Sequence, residues 1–183
     1  EGSIANAFIP GELVLVAQSR GPADIRPAGG LRVGVDVARF GDDKSVITFR
    51  RGRVMLKQTV LAKLDVTQVA GRVKSEIAAY NEAPEQIAVD TIGIGAGVAD
   101  VLRGWYPDKV DRQTGKTRKV VVDVNASLRM DNGRDYNLRA FMWTEMREWL
   151  KGASIPNDQD LKTDLTAPRY LFKGGDVPIE STD

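Results

Sequence analysis

Three β patterns crowd into the stretch from Leu31 to Leu61, with no room for a helix between any two of them. Arg32-Val33-Gly34-Val35-Asp36-Val37 reads as a buried strand, and Ala38-Arg39-Phe40-Gly41-Asp42-Asp43 as a turn. Ser45 to Arg50 alternates, with Val46, Thr48 and Arg50 set against Ile47 and Phe49. Arg51-Gly52 turns tightly into a third strand, Arg53 to Leu61. Parallel neighbours need a crossover of a dozen or more residues, so strands joined this closely form an antiparallel meander.

After the meander the period changes. Asp65-Val66-Thr67-Gln68 resembles a capping box, and Val66, Val69, Ala70, Val73, Ile77 and Tyr80 repeat at helical spacing, which predicts a helix over 66–82. Gln86 to Asp90 is a fourth strand, Thr91 to Gly97 a glycine loop, and Val98 to Trp105 a helix. Residues 107–118 read as a polar loop and Lys119 to Val124 as a strand. Leu138, Phe141, Met142, Met146, Trp149 and Leu150 mark an amphipathic helix over 135–151 that Gly152 stops, with Phe141, Trp143 and Trp149 expected in the core. A short helix near 158–166 and a hairpin near 169–180 complete the order βββ-α-β-α-β-α. The expected class is α/β, a mixed central sheet of meander and parallel strands flanked by helices. Residues 1–30, rich in Pro and Gly around a short helix from Pro10 to Gln18, read as a lead-in to a domain over 31–183. The chain opens on Glu1 without Met, which predicts a piece of a longer protein.

The chain has no Cys and no His. Disulfides, thiolate metal sites, Ser-His-Asp catalysis and imidazole acid–base chemistry are therefore excluded. Carboxylates, Lys, Tyr or a hard cation held by oxygen ligands must carry any hydrolysis. A net charge of +1 names no partner, so local patches must make any phosphate contact.

Asp36 and Asp90 each end an apolar strand, after Val33 and Val35 and after Ile87 and Val89. In this order the first and fourth strands are expected to be parallel neighbours joined by a crossover helix, which brings the two carboxylates to corresponding ends. Two adjacent carboxylates repel unless a cation neutralises them. Oxygen ligands without His or Cys select Mg²⁺ or Mn²⁺ over Zn²⁺. Taken singly, each Asp is equally a strand-end or capping residue. Asp42 and Asp43 read first as a solvated turn, with Asp42 the preferred auxiliary metal ligand of the two.

Val33 to Ile47 resembles the first acidic motif of the nuclease domain of tailed-bacteriophage terminase large subunits. Ile87-Ala88-Val89-Asp90-Thr91-Ile92-Gly93-Ile94-Gly95-Ala96-Gly97-Val98 resembles their second acidic motif. Asn137 to Trp143, Met146 to Leu150 and Leu165 to Tyr170 are similar to the C-terminal part of that family, and Phe8-Ile9-Pro10 to the connector from its ATPase domain. The resemblance implies an RNase H-like fold and two-metal endonuclease cleavage of double-stranded, concatemeric DNA with low sequence preference during genome packaging. It also implies an N-terminal ATPase domain in the same polypeptide, portal protein and terminase small subunit as partners, and the host cell cytoplasm as the location. Asp36 and Asp90 would be its catalytic metal ligands. A third acid is implied in a Ser-Pro-Asp and Ala-Asp-Ala segment after the last hairpin; the chain stops at Asp183 without it, and Asp164, Asp176, Glu180 and Asp183 are poor substitutes.

Other motifs lead elsewhere. Gly93-Ile94-Gly95-Ala96-Gly97-Val98 places Val where a dinucleotide fingerprint needs its third Gly, and Asp90 before the loop would repel a pyrophosphate; close chain packing is the expected role, leaving backbone N–H groups for a phosphate. Gly115-Lys116-Thr117 has Val110 in place of the first P-loop Gly and is followed by a strand. Lys109, Arg112, Lys116, Arg118 and Lys119 form a basic run, either a solvated face or a contact for DNA backbone. Arg39, Lys44, Arg129 and Arg134 are further phosphate candidates. A junction resolvase or transposase-type nuclease, an actin-like phosphate-binding domain and a non-catalytic docking module remain open on the residues alone.

Overall fold

The computed structural model describes residues 7–38, 44–135 and 137–169. A five-stranded sheet has the order β3-β2-β1-β4-β7. It is built from β1 (Arg32–Asp36), β2 (Lys44–Arg51), β3 (Val54–Ala62), β4 (Gln86–Asp90) and β7 (Val121–Val124). β1 and β2 are antiparallel, with Val35 opposite Ile47 and Asp36 opposite Val46, while β1, β4 and β7 run parallel. The mixed sheet expected from the meander and the crossover is thus present.

The chain forms two compact units. The described residues of Glu1–Pro27, Arg53–Met55 and Ala126–Asp183 make one, and Ala28–Gly52 with Leu56–Asn125 the other.

In the second unit, strand alternation sorts the side chains by face. Val33, Val35, Ile47, Phe49, Ile87, Val89 and Val121 are buried in one core with Val69, Val73 and Ile77 of α2 (Val66–Ala78) and Val98, Ala99 and Leu102 of α3 (Gly95–Trp105). The capping box is formed: Asp65 accepts from the Gln68 N–H at 2.8 Å, and Gln68 from the Asp65 N–H at 3.0 Å. α2 stops four residues earlier than the periodicity predicts. Asn81 takes a positive φ of 52°, and Tyr80, just past the helix, stacks on Phe49 with ring centroids 5.4 Å apart. α3 begins at Gly95, inside the stretch read as a loop. The segment 107–118 is likewise more than a loop: β5 (Lys109–Val110) and β6 (Thr117–Arg118) pair as a small hairpin.

Among the described residues of this unit, Glu76 is the buried acid, 8% exposed. It accepts from Thr59 Oγ1 and Arg72 Nε, each at 2.8 Å, with Lys57 Nζ at 3.4 Å. Burial pushes its carboxyl up, but Arg72, Thr59 and Lys57 together outweigh burial and hold it below the usual carboxylate range. A depressed folded value gives stability that is present above the unfolded value, about 4.3, and lost as pH falls through the folded one. Glu76→Gln is expected to lower stability by about 1 kcal/mol at pH 7. The gap to wild type should close on acidification below about pH 4, as followed by urea midpoints across pH. A gap that stays constant with pH would refute this account.

In the first unit, α1 (Gly11–Ser19), α4 (Leu138–Leu150) and α5 (Gln159–Thr166) surround Phe8, Ile9, Val14, Ala17, Leu150, Ile155, Leu161 and Leu165. Trp143 and Trp149 pack against this core; Phe141 is half-buried and lies outside it. α4 is shorter than the predicted 135–151 because Asn137 caps it, accepting from the Ala140 N–H at 2.9 Å. At its other end, Arg20 donates to the carbonyls of Leu150 (3.2 Å), Lys151 (2.8 Å) and Ala153 (2.8 Å), satisfying groups that a helix end leaves without partners. The expected hairpin near 169–180 lies outside the described residues, except for Arg169, which bridges to Ala7.

Candidate metal centre

The parallel register pairs Val33 with Ile87 and Val35 with Val89. The next residue on each strand is Asp36 and Asp90, so both carboxylates stand at the same end of the sheet on neighbouring strands. Val35 and Val89 point into the core with α2 and α3. By the twofold alternation of a strand, Asp36 and Asp90 project from the opposite face. Asp36 is exposed and Asp90 half-buried.

The chain around Asp90 is fixed in three ways. Its Oδ1 accepts from the Ile92 N–H at 2.9 Å, while Oδ2 has no partner among the described residues. Thr91 donates its N–H (3.0 Å) and Oγ1 (3.3 Å) to the Val124 carbonyl of β7. Finally, α3 starts directly against the Asp90 backbone: a Cβ at Gly95 would fall well inside van der Waals contact with the Asp90 carbonyl oxygen. The glycine loop therefore serves close packing, as its sequence suggests, with Gly93 at φ +77° making the turn. On the β1 side, Ser45, buried at the start of β2, accepts from the Ala38 N–H at 3.0 Å and draws the two strand ends together. Neither Thr91 nor Ser45 stands out in the sequence, because each acts through one partner that only the sheet register brings near.

Two hard carboxylates on one face at one sheet end, one of them oriented by a backbone N–H, match the donor chemistry of Mg²⁺ or Mn²⁺. Among the described residues no group of three acidic, His or Cys side chains that could hold a metal ion comes together. Asp42, Asp43 and Arg39 lie outside the described residues, as do Asp176, Glu180 and Asp183. Asp164 is exposed on α5.

The basic candidates separate. Lys44 is exposed at the start of β2, and because Val46 pairs with Asp36, it shares the carboxylate end of the sheet. Lys116 and Arg118 belong to the β5–β6 hairpin at the other end, where Arg118 donates to the Glu85 carbonyl at 2.8 Å, just before β4. In the other unit, Arg129 is exposed and bridges to Asn137. Arg134 is tied to Asp135 at 3.0 Å and to Glu145 at 3.6 Å. Asp135, which the sequence does not flag, is buried and accepts also from Asn132 Nδ2 (2.8 Å) and Thr144 Oγ1 (2.9 Å). Burial pushes Asp135 up, but these donors and Arg134 hold it below the usual carboxylate range.

No protein-family profile matches the chain, and no curated protein matches its sequence. Solved structures do match. The nuclease domain of the large terminase subunit of bacterial virus Sf6 superposes with a TM-score of 0.76 at 14% identity, over 96% of this chain and 88% of that one. A variant of the same domain with calcium gives 0.77 at 15% identity, over 96% and 88%. The large terminase nuclease of thermophilic phage G20c with bound magnesium gives 0.64 at 16% identity, over 97% and 89%. The chain thus has the RNase H-like fold of phage large-terminase nuclease domains, a mixed five-stranded sheet flanked by helices.

Proposed function

We propose that the chain is the nuclease domain of a phage terminase large subunit, a metal-dependent endonuclease that cuts double-stranded concatemeric DNA with low sequence preference during genome packaging. The observation that carries this reading is the register that sets Asp36 and Asp90 side by side at one end of the parallel strands, in a fold shared with domains solved with manganese, magnesium and calcium. Asp36 and Asp90 hold Mg²⁺ or Mn²⁺, with Asp42 as an auxiliary ligand. A bound divalent cation would supply Lewis acidity there, polarising the phosphodiester and favouring attack by water. The Ile92 N–H fixes the Asp90 carboxylate, and Lys44 meets a phosphate at the same end. Arg39, Arg129 and Arg134 are further phosphate contacts, and Lys116 and Arg118 make theirs from the hairpin.

Residues 1–30 then form the lead-in from an ATPase domain of the same polypeptide, ahead of a nuclease domain over 31–183. Portal protein and the terminase small subunit are the proposed partners, and the host cytoplasm the place of action. Among the described residues no helix is long and apolar enough to cross a membrane.

The test is supercoiled plasmid incubated with the chain and Mn²⁺, Mg²⁺ or EDTA. Nicked and linear products with either metal, and none with EDTA, are expected. Plasmid that stays intact across the whole metal titration would sink the assignment.

A further inference from the structure

We infer that the β5–β6 hairpin is a second contact for the duplex backbone, set at the end of the sheet opposite the carboxylates. The inference rests on the nuclease reading and extends it to a surface away from the bond that is cut.

The hairpin leads into the start of β7, where the Ile87 N–H donates to the Val120 carbonyl at 2.7 Å and Val121 pairs with Ile87. Arg118 anchors it to the Glu85 carbonyl, one residue before β4. Asp36 and Asp90 close the far ends of β1 and β4. From Glu85 to Asp90 is five strand steps, about 16 Å at roughly 3.3 Å each. Along a duplex, at about 3.4 Å per nucleotide step, that is roughly five base pairs, close to half a helical turn.

The hairpin is also a built element. Lys109 pairs with Arg118 and Val110 with Thr117. The Asp111 N–H donates to the Lys116 carbonyl at 2.9 Å, and the Gly115 N–H to the Asp111 carbonyl at 2.8 Å. Asp111 Oδ1 accepts from the N–H groups of Gln113 (2.8 Å) and Thr114 (3.1 Å), which ties the one acid between the two strands into the turn. Gly115, at φ +68°, supplies the left-handed residue the turn needs.

What this frame displays is positive charge. Arg118 is ion-paired, with Glu85 at 3.7 Å. Lys109, Arg112, Lys116 and Lys119 are exposed and have no ion pair among the described residues. Gln113, Thr114 and Thr117 stand between them as neutral hydrogen-bonding groups, and the single large apolar side chain on the two strands is Val110. Protein-binding surfaces centre on apolar and aromatic anchors and are poor in Lys. A row of cations and hydroxyls with one Val suits phosphates read without regard to base sequence.

The test is fluorescence anisotropy of a labelled 30-base-pair duplex in EDTA, repeated across salt concentrations. The full chain is compared with a Lys109→Gln, Arg112→Gln, Lys116→Gln, Lys119→Gln variant. A second variant, Arg26→Gln with Lys63→Gln, removes exposed charge elsewhere, and thermal melts check that each protein folds. The hairpin variant is expected to lose about tenfold or more in affinity at low salt. Its slope of log affinity against log salt should be shallower by about 3.6 if all four cations neutralise a phosphate, at about 0.9 for each. The second variant should keep the wild-type slope. A hairpin variant that binds as wild type does overturns this inference and leaves the nuclease reading standing on plasmid cleavage. A wild-type chain that neither binds the duplex nor cuts plasmid removes both.

Discussion

Asp36→Asn and Asp90→Asn are each expected to reduce metal-dependent plasmid cleavage at least 1,000-fold, a loss on the order of 4 kcal/mol of transition-state stabilisation. Asn keeps the shape and one carbonyl oxygen of Asp but removes the charge that a hard divalent cation requires. Both residues sit at strand ends outside the apolar core, so both variants should fold. The second readout is thermal. Added Mn²⁺ should raise the melting temperature of the wild-type chain, because a ligand that binds the folded state alone stabilises it, and should do so far less in either variant. Full cleavage by either Asn variant would remove that residue from the metal centre.

Gly95→Ala should be nearly as damaging, though it touches no ligand. The added methyl would collide with the Asp90 carbonyl oxygen, a backbone atom that cannot swing aside. Either α3 or the end of β4 must move. Overpacking of this severity costs about 3 kcal/mol, near 10 °C in melting temperature for a chain of this length. Cleavage should fall with it, since the displaced atom belongs to the residue that carries one of the two carboxylates. Gly104→Ala on the same helix is the control. A Cβ there meets nothing within 4 Å, so this variant should hold or gain a few tenths of a kcal/mol. Equal melting temperatures for the two variants would show that Gly95 is not a close-packing residue.

The sheet was legible because its strands carry their own pattern. Val33 and Val35, Ile47 and Phe49, and Ile87 and Val89 alternate as half-buried strands must, and the short connections after Asp36 and Arg51 allow only a meander. The same alternation places Asp36 and Asp90 at strand ends, so the pair emerges from pattern and topology alone. The hairpin at Lys109–Arg118 was not legible: two-residue strands of exposed charged and polar residues have no apolar period to detect. The start of α3 was hidden by glycine, which marks a turn when read locally and here permits the close approach to Asp90. Tyr80 fits the helical repeat of α2 and ends up beyond it, stacked on Phe49, because tertiary packing overrides the last turn. The opposed positions of Lys44 and the hairpin cations could not be read from charge runs. They follow from strand direction.

The interleaving of the two units bears on how the chain is made. Ala28 to Asn125, apart from Arg53–Met55, gathers one unit from nearly consecutive residues. The other joins the beginning of the described chain to its end: Gln18 bonds to Pro156 across 138 residues, and Arg20 to Ala153 across 133. Closing a loop of that size costs about 2 kcal/mol more than closing one of roughly 15 residues. On the ribosome, α1 is made well before α4 and α5, the helices it packs with, and waits for them. Until Leu150 and Ile155 emerge, Val14 and Ala17, fully buried in the finished unit, face solvent with Leu13 beside them, at a time when the other unit can already fold. The order of synthesis therefore leaves α1 as the element most exposed to aggregation or chaperone capture while the rest of the molecule is still being translated.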